Sequence, residues 1–266
     1  MSSTTTTGDI NKNKIPDVFN LKTEDHCLFP SGNPPTANQL KRADQFFSKN
    51  EPRLLWSHVK FAEIPPSTSP EIILLGRTNV GKSSLINLLV GKPLCRSSAN
   101  RQVTKSLNAY SIGPAGRSLT LIDSPGYASK LNQDWAPLME KFISRRTTLC
   151  KSFVIMDIAV GPKRHDEDMI QFLQYNEMPH QILATKADKV LIPGSTRTDD
   201  LQPGMEQELL NRLHDLASHF APPPGTPNYL DEDLISLCGW KKHRRFGISH
   251  VRWAMLKAAG LLEDAK

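Results

Sequence analysis

From residue 71 onward, short apolar runs alternate with longer stretches of helical periodicity. Glu71–Leu75, Leu107–Ile112, Leu119–Ile122, Ser152–Met156 and Gln181–Ala184 have the length of buried strands. Lys82–Leu89, Trp135–Thr147, Asp166–Tyr175, Met205–His219 and His250–Leu261 space their apolar residues for helices. Such alternation predicts an α/β domain, a mostly parallel sheet with helices on both faces. The short turn Gly113-Pro114-Ala115-Gly116 between two of the runs predicts one antiparallel strand.

Upstream, the pattern changes. Residues 1–35 are rich in Thr, Asn and Pro and read as a loosely packed arm. Residues 36–50 place Leu40, Ala43, Phe46 and Phe47 at helical spacing, with Thr36 or Asn38 as cap. The segment Ile64-Pro65-Pro66-Ser67-Thr68-Ser69-Pro70 breaks all periodicity, so we divide the chain into an N-terminal extension (1–65) and a main domain (66–266). Residues 193–230, punctuated by Pro and Gly around a helical middle, read as an insertion between the last two sheet elements.

Composition narrows the class. No run approaches the roughly 18 apolar residues of a spanning helix. Cys27, Cys95, Cys150 and Cys238 form no CxxC pair, which gives no local zinc or redox motif and suits a reducing compartment. The net charge of +6 favours acidic partners such as RNA, DNA or anionic lipid, although many soluble enzymes are mildly basic. The N-terminus has no apolar signal-peptide core and no arginine before Arg42, so no presequence is evident.

The chemistry is concentrated in three motifs. Gly76-Arg77-Thr78-Asn79-Val80-Gly81-Lys82-Ser83-Ser84 fits G-x-x-x-x-G-K-[ST] and lies between a strand run and an apolar helix. Glycines let such a backbone wrap phosphate closely, and its N–H groups and the helix N-terminus bind anionic oxygens. Lys82 is placed to reach the β- and γ-phosphates, and Ser83 to give its hydroxyl to Mg²⁺. About forty residues on, a strand ends in Asp123-Ser124-Pro125-Gly126. Asp123 would hold Mg²⁺ through water, and the Gly126 N–H would sense the γ-phosphate. Thr185-Lys186-Ala187-Asp188 ends a third strand and matches [NT]-K-x-D. The carboxylate of Asp188 can accept from both N1–H and the exocyclic amine of guanine, a donor pair adenine lacks, while the Lys186 stem covers the base. The ordered co-occurrence defines a phosphate-loop GTPase G domain binding GTP or GDP with Mg²⁺.

Other positions carry less specific patterns. Thr104 lies in the loop before the second strand, where a switch threonine would join Ser83 and Asp123 on Mg²⁺; an ordinary loop threonine is the alternative. Ser236 and Leu237, in Ile-Ser-Leu, could lend backbone to the guanine O6. Tyr127 replaces the water-orienting glutamine that follows DxxG in Ras-type enzymes. Asn79, three residues before Lys82, can help hold K⁺ beside the phosphates in place of an arginine finger, so Lys82, Thr104 and Asn79 form the expected catalytic set. Lys241-Lys242-His243-Arg244-Arg245, flanked by Trp240 and Phe246, is the densest basic run; Lys241, Lys242, Arg244 and Arg245 are candidates for RNA contact, and a solvated basic loop is the other reading.

The strings GRTNVGKSSLIN, LIDSPGYA and TKADK resemble the EngB (YihA/YsxC) family of TrmE–Era–EngA–YihA–septin-like GTPases, over about Pro70 to Leu261. The helix ending in Arg145-Arg146, the strand ending in Asp157 and Asp166-x-x-Met169-Ile170 agree with that likeness. Departures occur at Arg101-Gln102 before the switch threonine, at Ala159-Val160 after Asp157, and in Ile-Ser-Leu. The resemblance implies a monomeric GTPase with Mg²⁺ that assists assembly of the large ribosomal subunit through its rRNA, without a membrane. With the long extension and the insertion, it further suggests a eukaryotic, mitochondrial matrix member. A regulatory switch recruiting a protein effector without RNA is the rival reading.

Overall fold

The computed structural model describes residues 21–95, 106–127, 135–194, 203–239 and 245–262. In chain order its elements are β1 (Cys27–Leu28), α1 (Ala37–Lys49), β2 (Arg53–His58), β3 (Glu71–Gly76), α2 (Lys82–Val90), β4 (Leu107–Ile112), β5 (Leu119–Asp123), α3 (Trp135–Arg145), β6 (Leu149–Asp157), α4 (Arg164–Tyr175), β7 (His180–Thr185), α5 (Asp188–Leu191), α6 (Met205–Phe220), β8 (Leu230–Ser236) and α7 (Ile248–Ala258). All eight strands form one sheet in the order β1-β8-β7-β6-β3-β5-β4-β2. Strands β5, β3, β6, β7 and β8 run parallel.

Successive side chains of a strand point to opposite faces, and both faces here are covered. On one face Ile73, Leu75, Val154 and Met156 meet Phe142 of α3, Leu173 of α4 and Leu213 of α6. On the other, Ile72, Leu74, Phe153 and Ile155 meet Phe47 of α1, Leu89 of α2 and Trp253 of α7. This double burial explains why the central strands read as unbroken apolar runs rather than alternating ones. Among the described residues no helix is long and apolar enough to cross a membrane.

The antiparallel share is larger than the sequence indicates. Besides β4 against β5, the extension supplies β2 against β4 and β1 against β8, one strand at each edge. The region expected to be a loose arm therefore contributes Cys27 and Leu28 to the sheet. The reason for the discrepancy is local. β1 is two residues long, and of β2 only Trp56 is buried, so neither shows a period-two pattern. α1 forms as its spacing predicts, with Thr36 accepting from Gln39 N–H and Gln39 returning the bond to Thr36 N–H. It is held to α7 by Asp44, which accepts from Arg252 at 2.7 Å and from the Ser249 hydroxyl at 2.8 Å.

Arg145-Arg146 reads as a pair of helix-end charges, but the two residues differ in the fold. Arg145 is exposed. Arg146 donates from Nε and a terminal nitrogen to both carboxylate oxygens of Glu71, at 2.6 and 2.8 Å, and Glu71 is only 1% exposed. Thr148 adds a third donor at 2.6 Å. This network anchors the start of β3 beside β6. Arg146→Ala strands a buried carboxylate and should cost about 3–5 kcal/mol, whereas Arg145→Ala should stay within about 0.5 kcal/mol. Urea unfolding of the two variants checks this, and equal midpoints would contradict it.

Candidate nucleotide site

The parallel strands end together. Leu74 is level with Asp123 in β5, Gly76 with Ile155 in β6, and Asp157 with Thr185 in β7. Each chemical motif thus emerges at the carboxyl edge of the sheet, where ligands of open α/β sheets bind.

The loop after β3 turns into α2 through Gly81 at φ 110°, which serves as N-cap with no side-chain cap bond. The first N–H groups of α2 are therefore left for an anion. Gly76 has no space for a side chain, because a Cβ would lie 2.7 Å from the Ile155 carbonyl oxygen. Lys82 is buried and its ammonium donates to the carbonyls of Gly76 (2.8 Å) and Arg77 (3.0 Å). Burial lowers its pKa to about 8, with the Asp123 carboxylate opposing. Ser83 donates from its hydroxyl to Asp123 Oδ2 at 2.6 Å. Asp123 Oδ1 is sealed from solvent with no hydrogen-bond partner among the described residues. Burial raises the Asp123 pKa, against the Ser83 bond and the Lys82 charge. A lone carboxylate oxygen beside a hydroxyl, at the mouth of an anion-binding loop, fits Mg²⁺, which takes one or two protein oxygens plus phosphate and water.

Gly126 follows at close range, and a Cβ there would lie 2.7 Å from Thr78 N. Tyr127 occupies no solvent-facing position. Its hydroxyl donates to Asp166 Oδ1 at 2.8 Å, and Arg77 Nε lies 3.0 Å from Asp166 Oδ2. Asp166 is fully buried at the start of α4. Trp135 Nε1 donates to the Pro125 carbonyl at 2.9 Å. The residue after DxxG is thus committed to packing, consistent with the absence of a water-orienting glutamine.

The base end is tied to the phosphate loop directly. The Thr185 hydroxyl lies 2.8 Å from the Val80 carbonyl and 3.0 Å from that of Met156. Lys186 adopts φ 60°, and its ammonium donates to the Asn79 carbonyl at 2.7 Å and pairs with Asp157 at 2.9 Å. Asn79 itself is exposed with φ 64°. Leu237 N–H donates to the Ala184 carbonyl at 2.9 Å, and Leu237 O accepts from Ala187 N–H at 3.3 Å, so the Ile-Ser-Leu segment packs against the base motif. A cavity of about 550 Å³ opens here, walled by Gly81, Ser84, Lys186, Asp188, Leu237 and Arg245 among others.

Most of the expected site residues are thereby brought together. Thr104 and the basic residues Lys241, Lys242 and Arg244 lie outside the described residues. Arg245 is exposed and lines the guanine-end cavity. Asp157 was visible only as the end of a strand, yet it holds the Lys186 ammonium; nothing in its local spacing shows that role.

Fold and site together define a phosphate-loop GTPase of the α/β class. The family described as "50S ribosome-binding GTPase" matches residues 71–186. The "Probable GTP-binding protein EngB" of Ruegeria sp. is 34% identical over 168 residues, covering 61% of this chain and 76% of the relative. That of Streptococcus mutans is 38% identical over 152 residues, covering 55% and 76%. The chain belongs to the EngB family of GTPases. Among solved structures, Toc33 from Arabidopsis thaliana in complex with GDP and Mg²⁺ shares the fold at 16% identity with a TM-score of 0.52, covering 73% of this chain and 85% of that one. The same protein with Mg²⁺ and GMPPNP gives 0.53 at 16% identity, covering 86% and 95%.

Lys82 provides a direct readout of phosphate binding. Its folded pKa of about 8 lies below the roughly 10.4 of an unfolded lysine. Between those values the unfolded chain holds more protons, so this residue makes the nucleotide-free fold more stable as pH rises. A bound phosphate stabilises the ammonium and raises the pKa again. GDP binding near pH 8 should therefore take up a proton, and the uptake should vanish well below the pKa. Calorimetry in buffers of different ionisation enthalpy measures it, and no uptake near pH 8 would contradict the assignment.

Proposed function

We propose that this GTPase is an assembly factor for the large ribosomal subunit, docking on its rRNA in the GTP state and leaving after hydrolysis. The observation that carries the reading is the match of residues 71–186 to a family described as ribosome-binding, joined to the basic run that ends in Arg245 beside the guanine cavity. A basic run whose last residue, Arg245, lines that cavity supports a contact with phosphate backbone that follows the state of the site. From the extension, the insertion and the family resemblance, we further place the protein in the mitochondrial matrix.

Within the site, we assign Lys82 and the N–H groups from Gly76 to Ser84 to the phosphates, Gly126 N–H to the γ-phosphate, and Asp188 to the guanine edge. Ser83, Asp123 and Thr104 would hold Mg²⁺, which neutralises phosphate charge when bound. Thr185 and Lys186 would position Asp188 and cover the base, with Ser236 and Leu237 closing the far side. Asn79 is exposed on the phosphate loop. We assign it to K⁺, whose charge would stand where an arginine finger stands in other enzymes.

Sedimentation of the full chain with large-subunit particles, loaded in parallel with a non-hydrolysable GTP analogue or GDP, tests the reading. Co-sedimentation and rRNA crosslinking are expected with the analogue and should weaken with salt. Hydrolysis should run faster in KCl than in NaCl. Absence of rRNA in both states would overturn the assembly role and favour a protein effector, and equal rates in the two salts would remove the K⁺ assignment.

A further inference from the structure

Three soft or imidazole donors from opposite ends of the chain converge away from the nucleotide site. Cys27 opens β1, His26 immediately precedes it, and His250 lies in the first turn of α7; all three are buried. One donor atom of each lies within 4.8 Å of the other two. Neighbouring residues of a regular strand point to opposite faces, but His26 has φ −143° and ψ 4° as it closes the turn Thr23–Asp25. The alternation therefore fails at this residue, and His26 Nδ1 comes to 3.1 Å from Cys27 Sγ. Zinc arms of about 2.0–2.1 Å to nitrogen and about 2.3 Å to sulfur place such donors roughly 3.5 Å apart around a tetrahedron. The His26–Cys27 pair is within a few tenths of an ångström of that spacing, and the His250 donor, within 4.8 Å of both, would move inward to complete the set.

The surroundings suit a cation. The Thr23 hydroxyl lies 3.1 Å from His250 Nε2 and orients that ring, as outer partners of ligating histidines do. The carboxylates of Asp25, Asp233 and Asp44 act electrostatically on His26, Cys27 and His250 respectively. Phe246 packs on the His26 ring at 5.0 Å and Phe29 on the His250 ring at 6.4 Å.

We propose that His26, Cys27 and His250 form a zinc site that staples the N-terminal segment to α7. A solvent molecule would complete the tetrahedron. On binding, the Cys27 S–H bond breaks, sulfur bonds to Zn²⁺, and the proton leaves to solvent; no redox change occurs. The two-residue pairing of β1 with β8 is a slight attachment alone, and the ion would make it firm. The cysteine spacing shows no zinc motif because the ligands are gathered by tertiary structure.

The test uses the full chain with GDP and excess Mg²⁺ present, so that added metal does not report on the nucleotide site. Elemental analysis should find stoichiometric zinc retained through gel filtration. Replacement by Co²⁺ should give tetrahedral visible bands and a thiolate-to-cobalt band in the near ultraviolet. Cys27→Ala should lose the thiolate band, His250→Gln should lose retention, and Cys150→Ala should keep both. Circular dichroism and GDP affinity report whether each variant folds. The wild-type cobalt spectrum decides alone if Cys27→Ala does not fold. No stoichiometric zinc, a cobalt spectrum without a thiolate band, or a folded Cys27→Ala variant that binds like wild type would overturn the proposal.

Discussion

The shared carboxyl edge of the parallel strands β5, β3, β6 and β7 is the constraint from which the site follows. Parallel register brings Gly76, Asp123, Asp157 and Thr185 to one line, although the chain separates them widely. The Thr185 hydroxyl then closes the gap between base motif and phosphate loop through the Val80 carbonyl. Lys186 adds a second bridge to the Asn79 carbonyl. Phosphate and guanine ends are consequently one rigid unit rather than two loops that meet by chance.

The electrostatics of that unit are incomplete without ligand. Lys82 has been taken out of water and set on two loop carbonyls, neutral acceptors standing where phosphate oxygens would be stronger ones. Asp123 keeps one oxygen buried and unpaired among the described residues. An anion relieves the first cost and a divalent cation the second, so a magnesium–nucleotide complex answers both. The Tyr127–Asp166–Arg77 network then links the phosphate loop to α4 through the segment that carries Gly126. In this chain the position after DxxG is structural.

Where a local pattern coincides with a physical requirement, the sequence was readable. The runs at β3, β6 and β7 are apolar because both faces are buried, and the glycine-rich loop has one geometry between a strand and a helix. α1 was legible through its spacing and cap. Edge strands were not: β2 buries only Trp56, and β1 is too short to carry a period. Side-chain partnerships across the chain were equally hidden. Arg146 with Glu71, Asp157 with Lys186, and the His26–Cys27–His250 cluster depend on tertiary placement, and no spacing encodes them.

The central claim, that the loops at this edge form one guanine site read by Asp188, is tested most directly by nucleotide specificity. Wild-type protein and Asp188→Asn should be compared for GTP and XTP affinity. Asparagine presents a donor where the carboxylate accepted, so GTP binding should fall by about two orders of magnitude, near 3 kcal/mol for a lost charge-assisted pair, while XTP binding should rise. A variant that still prefers GTP with wild-type affinity would contradict the account.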